Sequence, residues 1–327
     1  MPSLLPAWLE ITSLVVLTAI LIFDVLVISR RPHIPTNRES ALWIGFYALL
    51  AVLFGVMLWT LGDAESAGQF YAGWLTEYSL SLDNLFVFVI IMNRFSVPKK
   101  YQQEVLMVGI VLALVLRGIF ILIGAALIEN FSWIFYIFGA FLIYTAWGQA
   151  FSNHEDDEEK ESKLISWLRR HIEFSRDFDG AKIRTKVDGK KMFTPMLVVF
   201  IAIAATDVLF AFDSIPAIFG ITTNPFIVFT ANVFALMGLR QLYFLLGSLI
   251  EKLEYLKYGI AFILAFIGFK LTAHAMHENE LPFINNGQHI EWAPEIDTNT
   301  SLVVIVLSIT VAAVASVLKA RKKESSK

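Results

Sequence analysis

The chain has 327 residues, of which 57% are hydrophobic and 28 are Phe, with a mean hydropathy of +0.64. Soluble domains run nearer about 45–50% apolar, so a water-soluble globule is excluded. The net charge of −3 gives no footing for a nucleic-acid partner, and the lack of cysteine excludes disulfides and thiolate metal sites within these residues. Hard cations held by oxygen stay open.

In chain order, apolar runs of about 20 residues predict an all-α polytopic membrane bundle. The runs fall at 7–29, 40–61, 68–93, 104–127, 131–151, 193–221, 226–250, 256–276 and 300–318. The first carries Glu10 and Asp24 and lacks a basic n-region or a small-residue cleavage site, so it reads as a retained helix and not a signal peptide. The third carries Glu77, Ser81, Asp83 and Asn84. Glu77 and Asn84 share a helix face with Ser81 between them, and Asp83 lies on the neighbouring face with Ser79 and Thr76. The fourth holds Arg117. The soluble stretch 152–192 opens on the acidic run His154 to Glu159, which reads as a solvated loop. Leu164, Ile165, Trp167, Leu168, His171, Ile172 and Phe174 then pattern an amphipathic helix, and Val187-Asp188-Gly189-Lys190 a hairpin turn.

The sixth run contains Thr206, Asp207, Phe212, Asp213, Ser214 and Pro216. An Asp at the centre of a membrane helix costs about 2.5–3.5 kcal/mol on insertion scales, so an intramembrane acid is a functional-site hypothesis by default. Pro216 cannot donate to the Phe212 carbonyl, which predicts a kink or unwinding beside Asp213 and a carbonyl freed to act as a ligand. Arg240 lies in the seventh run. Lys270 sits near the outer end of the eighth, where snorkelling is expected. The turn-rich loop 277–299 contains His277, Glu278, Glu280 and His289 and reads as a solvated loop, with a weak metal vestibule as the alternative.

Every Lys and Arg outside the spans falls on one side if the N-terminus is outside, while Asp63, Glu65, Glu129, Glu278, Glu280, Glu291, Glu295 and Asp297 fall on the other. The expected topology in a plasma (inner) membrane is therefore N-terminus outside and C-terminus cytoplasmic.

An internal repeat organises the chain. Asp83-Asn84-Leu85-Phe86-Val87-Phe88 matches Asp207-Val208-Leu209-Phe210-Ala211-Phe212. Leu116-Arg117 matches Leu239-Arg240, and Ala140-Phe141-Leu142-Ile143 matches Ala261-Phe262-Ile263-Leu264. Phe23-Asp24-Val25-Leu26 is a weaker echo. Each copy has three spans, so the second is expected to be inverted, bringing Asp83 and Asp207 face to face at mid-depth. The chain divides into an N-terminal two-helix region (1–67), a first repeat unit (68–151), a cytoplasmic loop (152–192), a second repeat unit (193–276), an outer loop (277–299) and a last helix with a basic tail (300–327).

Carboxylate, amide, hydroxyl and carbonyl oxygens are the ligand set of Mn, Mg and Ca. The candidate metal ligands are Asp24, Glu77, Asp83, Asn84, Asp207 and Asp213, supported by Ser81, Thr206, Phe212, Ser214 and Pro216. Arg117 and Arg240 are expected as structural charge partners of Asp83 and Asp207. Two arginines cannot neutralise five acids, so the surplus needs protons, a cation or a wet cavity. The partners implied are the bilayer, a transported divalent cation with no permanently bound cofactor, and protons as coupling ion. The competing reading is a non-transporting scaffold whose acids pair with arginines and whose 152–192 segment binds a partner. An intramembrane hydrolase is disfavoured, since no His lies among the acids and no nucleophile motif is present; the chain is not expected to be an enzyme.

The sequence resembles the TerC/Alx family of integral membrane proteins, itself similar to the lysine-exporter superfamily. The resemblance rests on Ser81-Leu82-Asp83-Asn84-Leu85-Phe86-Val87-Phe88, Phe95-Ser96-Val97-Pro98, Tyr136-Ile137-Phe138-Gly139-Ala140-Phe141, Phe212-Asp213-Ser214-Ile215-Pro216-Ala217-Ile218, Asn224-Pro225-Phe226-Ile227-Val228 and Gly238-Leu239-Arg240. It implies metal-ion homeostasis, chiefly manganese efflux, with links to tellurium resistance; the scaffold alternative would act in tellurium resistance, envelope stress or membrane-protein assembly. One departure is Ala204, where many relatives carry Glu.

Overall fold

The computed structural model describes residues 6–30, 36–131, 133–151, 175, 178–187, 190–246, 255–279, 281–282, 284–290 and 292–325. The helices are α1 (Ala7–Arg30), α2 (Asn37–Leu61), α3 (Ala64–Arg94), α4 (Lys99–Asn130), α5 (Ile134–Phe151), α6 (Pro195–Phe219), α7 (Pro225–Met237), α8 (Leu239–Leu246), α9 (Leu256–His277) and α10 (Thr298–Ser325). Strands β1 (Arg184–Val187) and β2 (Lys190–Phe193) pair antiparallel, with Val187 opposite Lys190, as the turn signal predicted. The amphipathic helix and acidic run expected between 152 and 174 lie outside the described residues.

Among the described residues, seven helices are long and apolar enough to cross a membrane. Their outward faces carry large apolar side chains, such as Leu42, Leu53 and Trp59 on α2 and Val303, Leu307 and Val311 on α10. Helices this apolar on the outside suit lipid as solvent. α3 is 31 residues long, buries Glu77 and the hydroxyls of Thr76, Ser79 and Ser81, and is packed by α2, α6, α7 and α10. A span can be polar when it faces protein instead of lipid.

The helices of the two expected repeat units interlock. α3 packs on α7, α4 on α6 and α5 on α9, a pattern unchanged when the units are exchanged. α5 and α9 cross closely: a Cβ on Gly139 would lie 2.8 Å from the Gly268 carbonyl, and one on Gly268 would lie 2.9 Å from that of Gly139. Only glycine permits backbones this near, the small-residue device of membrane helix pairs.

Two apolar layers bracket the middle of the bundle. One includes Phe70, Ile121, Ala211, Ile215 and Val228, with Phe54, Phe70 and Phe234 in edge and tilted ring contacts at 4.8–5.6 Å. The other includes Leu85, Leu106, Ile203, Leu236 and Leu239. α3 and α7 run from the first layer to the second, and α4 and α6 run back. α3 and α6 are therefore antiparallel, as an inverted second unit requires.

One local expectation is corrected and another refined. α6 does not unwind at Pro216: it stays helical to Phe219, with Pro216 in its final turn. A proline so near the C-terminus leaves only a few residues beyond it, and the helix ends there with the Gly220 N–H bonded to the Pro216 carbonyl at 3.0 Å. The run 226–250 holds one apolar span, Pro225–Leu245, with a turn inside it. It divides at Gly238 into α7 and α8, and 247–254 lie outside the described residues.

Candidate functional site

A polar layer lies between the two apolar ones, near the middle of four helices. Arg117 of α4 is its hub, 1% exposed. Its Nη1 donates to Glu77 Oε2 of α3 at 2.6 Å and to Asn232 Oδ1 of α7 at 2.9 Å. Its Nη2 lies 3.5 Å from Asp207 Oδ1 of α6. Glu77 is 0%, Asp207 3% and Asn232 1% exposed. Asn232 Nδ2 donates to the Val228 carbonyl at 3.1 Å, which turns its Oδ1 toward the guanidinium.

The contacts differ in kind. Arg117 and Glu77 belong to the first repeat unit and make a short charged hydrogen bond. Asp207 belongs to the second, and its ion contact is longer. One guanidinium thus serves two carboxylates, one from each expected repeat unit. Five buried oxygens here have no hydrogen-bond partner: Thr76 Oγ1, Glu77 Oε1, Ser81 Oγ, Asp207 Oδ2 and Ser214 Oγ. Ser214 lies beside the Glu77 carboxyl without completing a hydrogen bond. Each unsatisfied buried group costs about 1–3 kcal/mol, so such a concentration marks a site that takes something else.

The expected residues separate accordingly. Glu77, Asp207 and Ser214 are brought together, and Ser81 is buried one turn along α3 from Glu77. Asp213 is only partly buried on α6. Thr206 is buried beside Asp207, and Pro216 is buried in the last turn of α6. Phe212 turns outward, 51% exposed, with its ring 5.5 Å from Phe120. Asp24 lies on α1, and Asp83 and Asn84 on α3, but their side chains lie outside the described residues. Arg117 is a charge partner of Asp207, as expected, and among the described residues its shorter contact is to Glu77. Arg240 is buried on α8. Among the described residues no three His, Asp or Glu side chains converge on one metal position. Asn232 went unread in the sequence; the available signal was an amide, one of two with Gln241, within the apolar run 226–250.

A cavity of about 620 Å³ opens at one end of the bundle, where α3 and α10 begin and α6 and α9 end. Glu65, Gln69, Thr222, Lys270, His274 and Asp297 line it. Lys270 lines the cavity, and its Nζ donates to Ser301 Oγ in the first turn of α10 at 3.0 Å. Thr222 Oγ1 donates to Gln69 Oε1 at 2.5 Å. Hydrogen bonds from Thr300, together with backbone amides, hold the Asp297 carboxyl below the usual range. Gln69 is eight residues before Glu77, about 12 Å along α3. Ile218, 0% exposed, closes the interval: a Cβ on Gly73 would meet its Cδ1 at 3.2 Å.

The loop 277–299 is turn-rich, as expected. Asn279 ties it together, donating to the Ile284 and Gln288 carbonyls at 2.7 and 3.1 Å. His277 Nε2 pairs with Glu295 Oε1 at 2.9 Å, and His289 Nδ1 contacts the His277 carbonyl. Glu280 lies outside the described residues.

Comparison with known proteins places the chain. The sequence profile described as "Integral membrane protein TerC family" matches residues 62–324. The chain belongs to the TerC family. "Uncharacterized membrane protein MT2795" of Mycobacterium tuberculosis (strain CDC 1551 / Oshkosh) is 42% identical over 313 residues, 94% of this chain and 79% of the relative. "Uncharacterized membrane protein STKORF319" of Myxococcus xanthus is 42% identical over 254 residues, 78% of this chain and 80% of the relative. "Putative membrane-bound redox modulator Alx" of Escherichia coli (strain K12) is 41% identical over 266 residues, 79% of this chain and 83% of the relative. No solved structure matches. This TerC-family chain is an integral membrane protein with its charge buried at the junction of two antiparallel helix sets.

Proposed function

We propose that this TerC-family protein is a transporter for a divalent metal cation, with manganese as cargo and export as direction. The observation that carries the reading is one arginine shared by acids of both repeat units, amid five buried oxygens without hydrogen-bond partners. Hard cations prefer carboxylate and hydroxyl oxygen. Ion and direction come from the family resemblance, the oxygen chemistry from the site. Asp83, Asn84, Asp213 and Asp24 are proposed to complete the ligand set.

In this reading Arg117 is the resident counter-charge. It stays with Glu77, and the longer Asp207 contact is the one that opens when the units rock about the midplane. A cation entering between Asp207 Oδ2 and Glu77 Oε1 neutralises what Arg117 alone leaves over. Protons take its place on return, since bare carboxylates in a low-dielectric site favour the neutral form. The proposed setting is the plasma membrane, N-terminus outside, with the Gln69–Asp297 cavity as the outer mouth. No catalytic step is assigned.

The test is intracellular manganese in cells lacking the protein and complemented with variants. Asp207→Asn, Asp83→Asn and Asp213→Asn are expected to reach the membrane yet leave manganese as high as in the empty strain. Wild-type manganese levels in all three would remove the proposal.

A second reading has its own support. Arg117 already binds Glu77 tightly, as a rigid scaffold core would. The redox name of the Escherichia coli relative would have to work here without thiols, because these residues include no cysteine. Full complementation by a protein with no metal flux in liposomes would favour the scaffold.

A further inference from the structure

We infer that the groove between α9 and α10 is a binding site for an anionic phospholipid, with one acyl chain in the groove and the phosphate at its basic end. The groove holds about 530 Å³ and is lined by Tyr255, Tyr258, Phe262, Leu307, Val311 and Ala315, among others. It opens on the side where Tyr258, Phe262, Leu307 and Val311 are exposed. Its floor is narrow because Gly259 lets α10 approach: a Cβ there would lie 2.7 Å from the Ala312 Cβ. The lining runs from Val304 to Ala315 along α10, about 17 Å. One leaflet's hydrocarbon is about 15 Å deep. The groove therefore matches the reach of a single acyl chain and falls short of a second transmembrane helix.

Charge at one end selects the headgroup. Lys319 Nζ sits 4.8 Å over the ring of Tyr255, and Lys257 Nζ sits 5.0 Å over that of Tyr258. Both tyrosines line the groove, so each ammonium group is held against a ring that does. α10 continues into Arg321, Lys322 and Lys323 before Glu324, three basic residues against one acid. Aromatic rings with lysines beyond them mark the headgroup level of a membrane. An acyl tail with an anionic head fits this sequence of surfaces, from apolar through aromatic to cationic.

The experiment is native mass spectrometry of the full chain in detergent, incubated with equal amounts of phosphatidylglycerol and phosphatidylcholine. Wild type is expected to retain phosphatidylglycerol preferentially. Lys257→Gln and Lys319→Gln should each reduce that preference about fivefold, from roughly 1 kcal/mol per lysine near anionic lipid. Ala315→Trp, which fills the groove, should remove both lipid adducts. Equal retention of the two lipids by wild type, or an unchanged preference in the correctly melting double lysine variant, overturns the inference. So does efficient disulfide dimerisation of Val311→Cys in membranes, which would make a second copy the occupant.

Discussion

The mouth cavity and the buried cluster draw on the same two helices, α3 and α6, yet their charges are handled differently. At the mouth, Lys270 and Asp297 lie beside an open cavity and have hydroxyl or amide partners. Two turns deeper, Glu77, Arg117 and Asp207 are enclosed, and the carboxylates keep one unpartnered oxygen each. Water can complete the first set at little cost. The second is closed off from such water, so its polar atoms depend on what the fold brings to them. The difference separates a passage from a binding site.

The largest effect expected from that contrast is on stability. Arg117→Met leaves two buried carboxylates without their cation and should cost about 3–5 kcal/mol. Lys270→Met, at the mouth, should cost under about 1 kcal/mol. Thermal melting in detergent measures both, and similar losses would break the comparison. The next effect is on ligand binding. Asp207→Asn and Glu77→Gln should each weaken manganese affinity at least about tenfold, if one ligand is worth about 1.4 kcal/mol, while Asp297→Asn should leave it within a factor of about two, as expected of a surface charge. Titration of the purified protein with manganese checks this.

Access comes third. The chain has no cysteine, so single cysteines report cleanly. Thr223→Cys should react readily with a charged thiol reagent, and Thr76→Cys should not. Adding Ile218→Ala should raise the Thr76→Cys rate about tenfold or more, since removing the side chain over Gly73 leaves a gap. An unchanged rate would mean that another element seals the cluster. The smallest effect concerns Asp297, whose folded carboxyl lies below its unfolded range. The stability it contributes is present above the unfolded value of about 3.9 and is lost as pH falls through the folded one. Asp297→Ala should melt slightly below wild type at pH 5, with the gap closing toward pH 3.

Much of the bundle was legible in the sequence because lipid imposes long apolar runs, and the runs mark the helices closely. The hairpin was legible from its turn residues. Glu77 and Asp207 were legible as costly acids in apolar surroundings. An arginine partner for Asp207 was legible as well; that the same Arg117 also holds Glu77 was not, because it is set by how α3 and α4 face each other. Asn232 was missed because an amide is cheaper to bury than a carboxylate and draws less notice. The break expected at Pro216 failed because proline in a last turn meets a helix already ending, while the division at Gly238 had only a single glycine as its sign.

The most direct test of the central claim is flux in liposomes. The purified chain is reconstituted in manganese-containing vesicles with an imposed pH gradient, and wild type is compared with Asp207→Asn. Gradient-dependent manganese movement by wild type that falls to the empty-vesicle rate in Asp207→Asn is the predicted result. No movement by folded wild type, or equal movement by both, would contradict it.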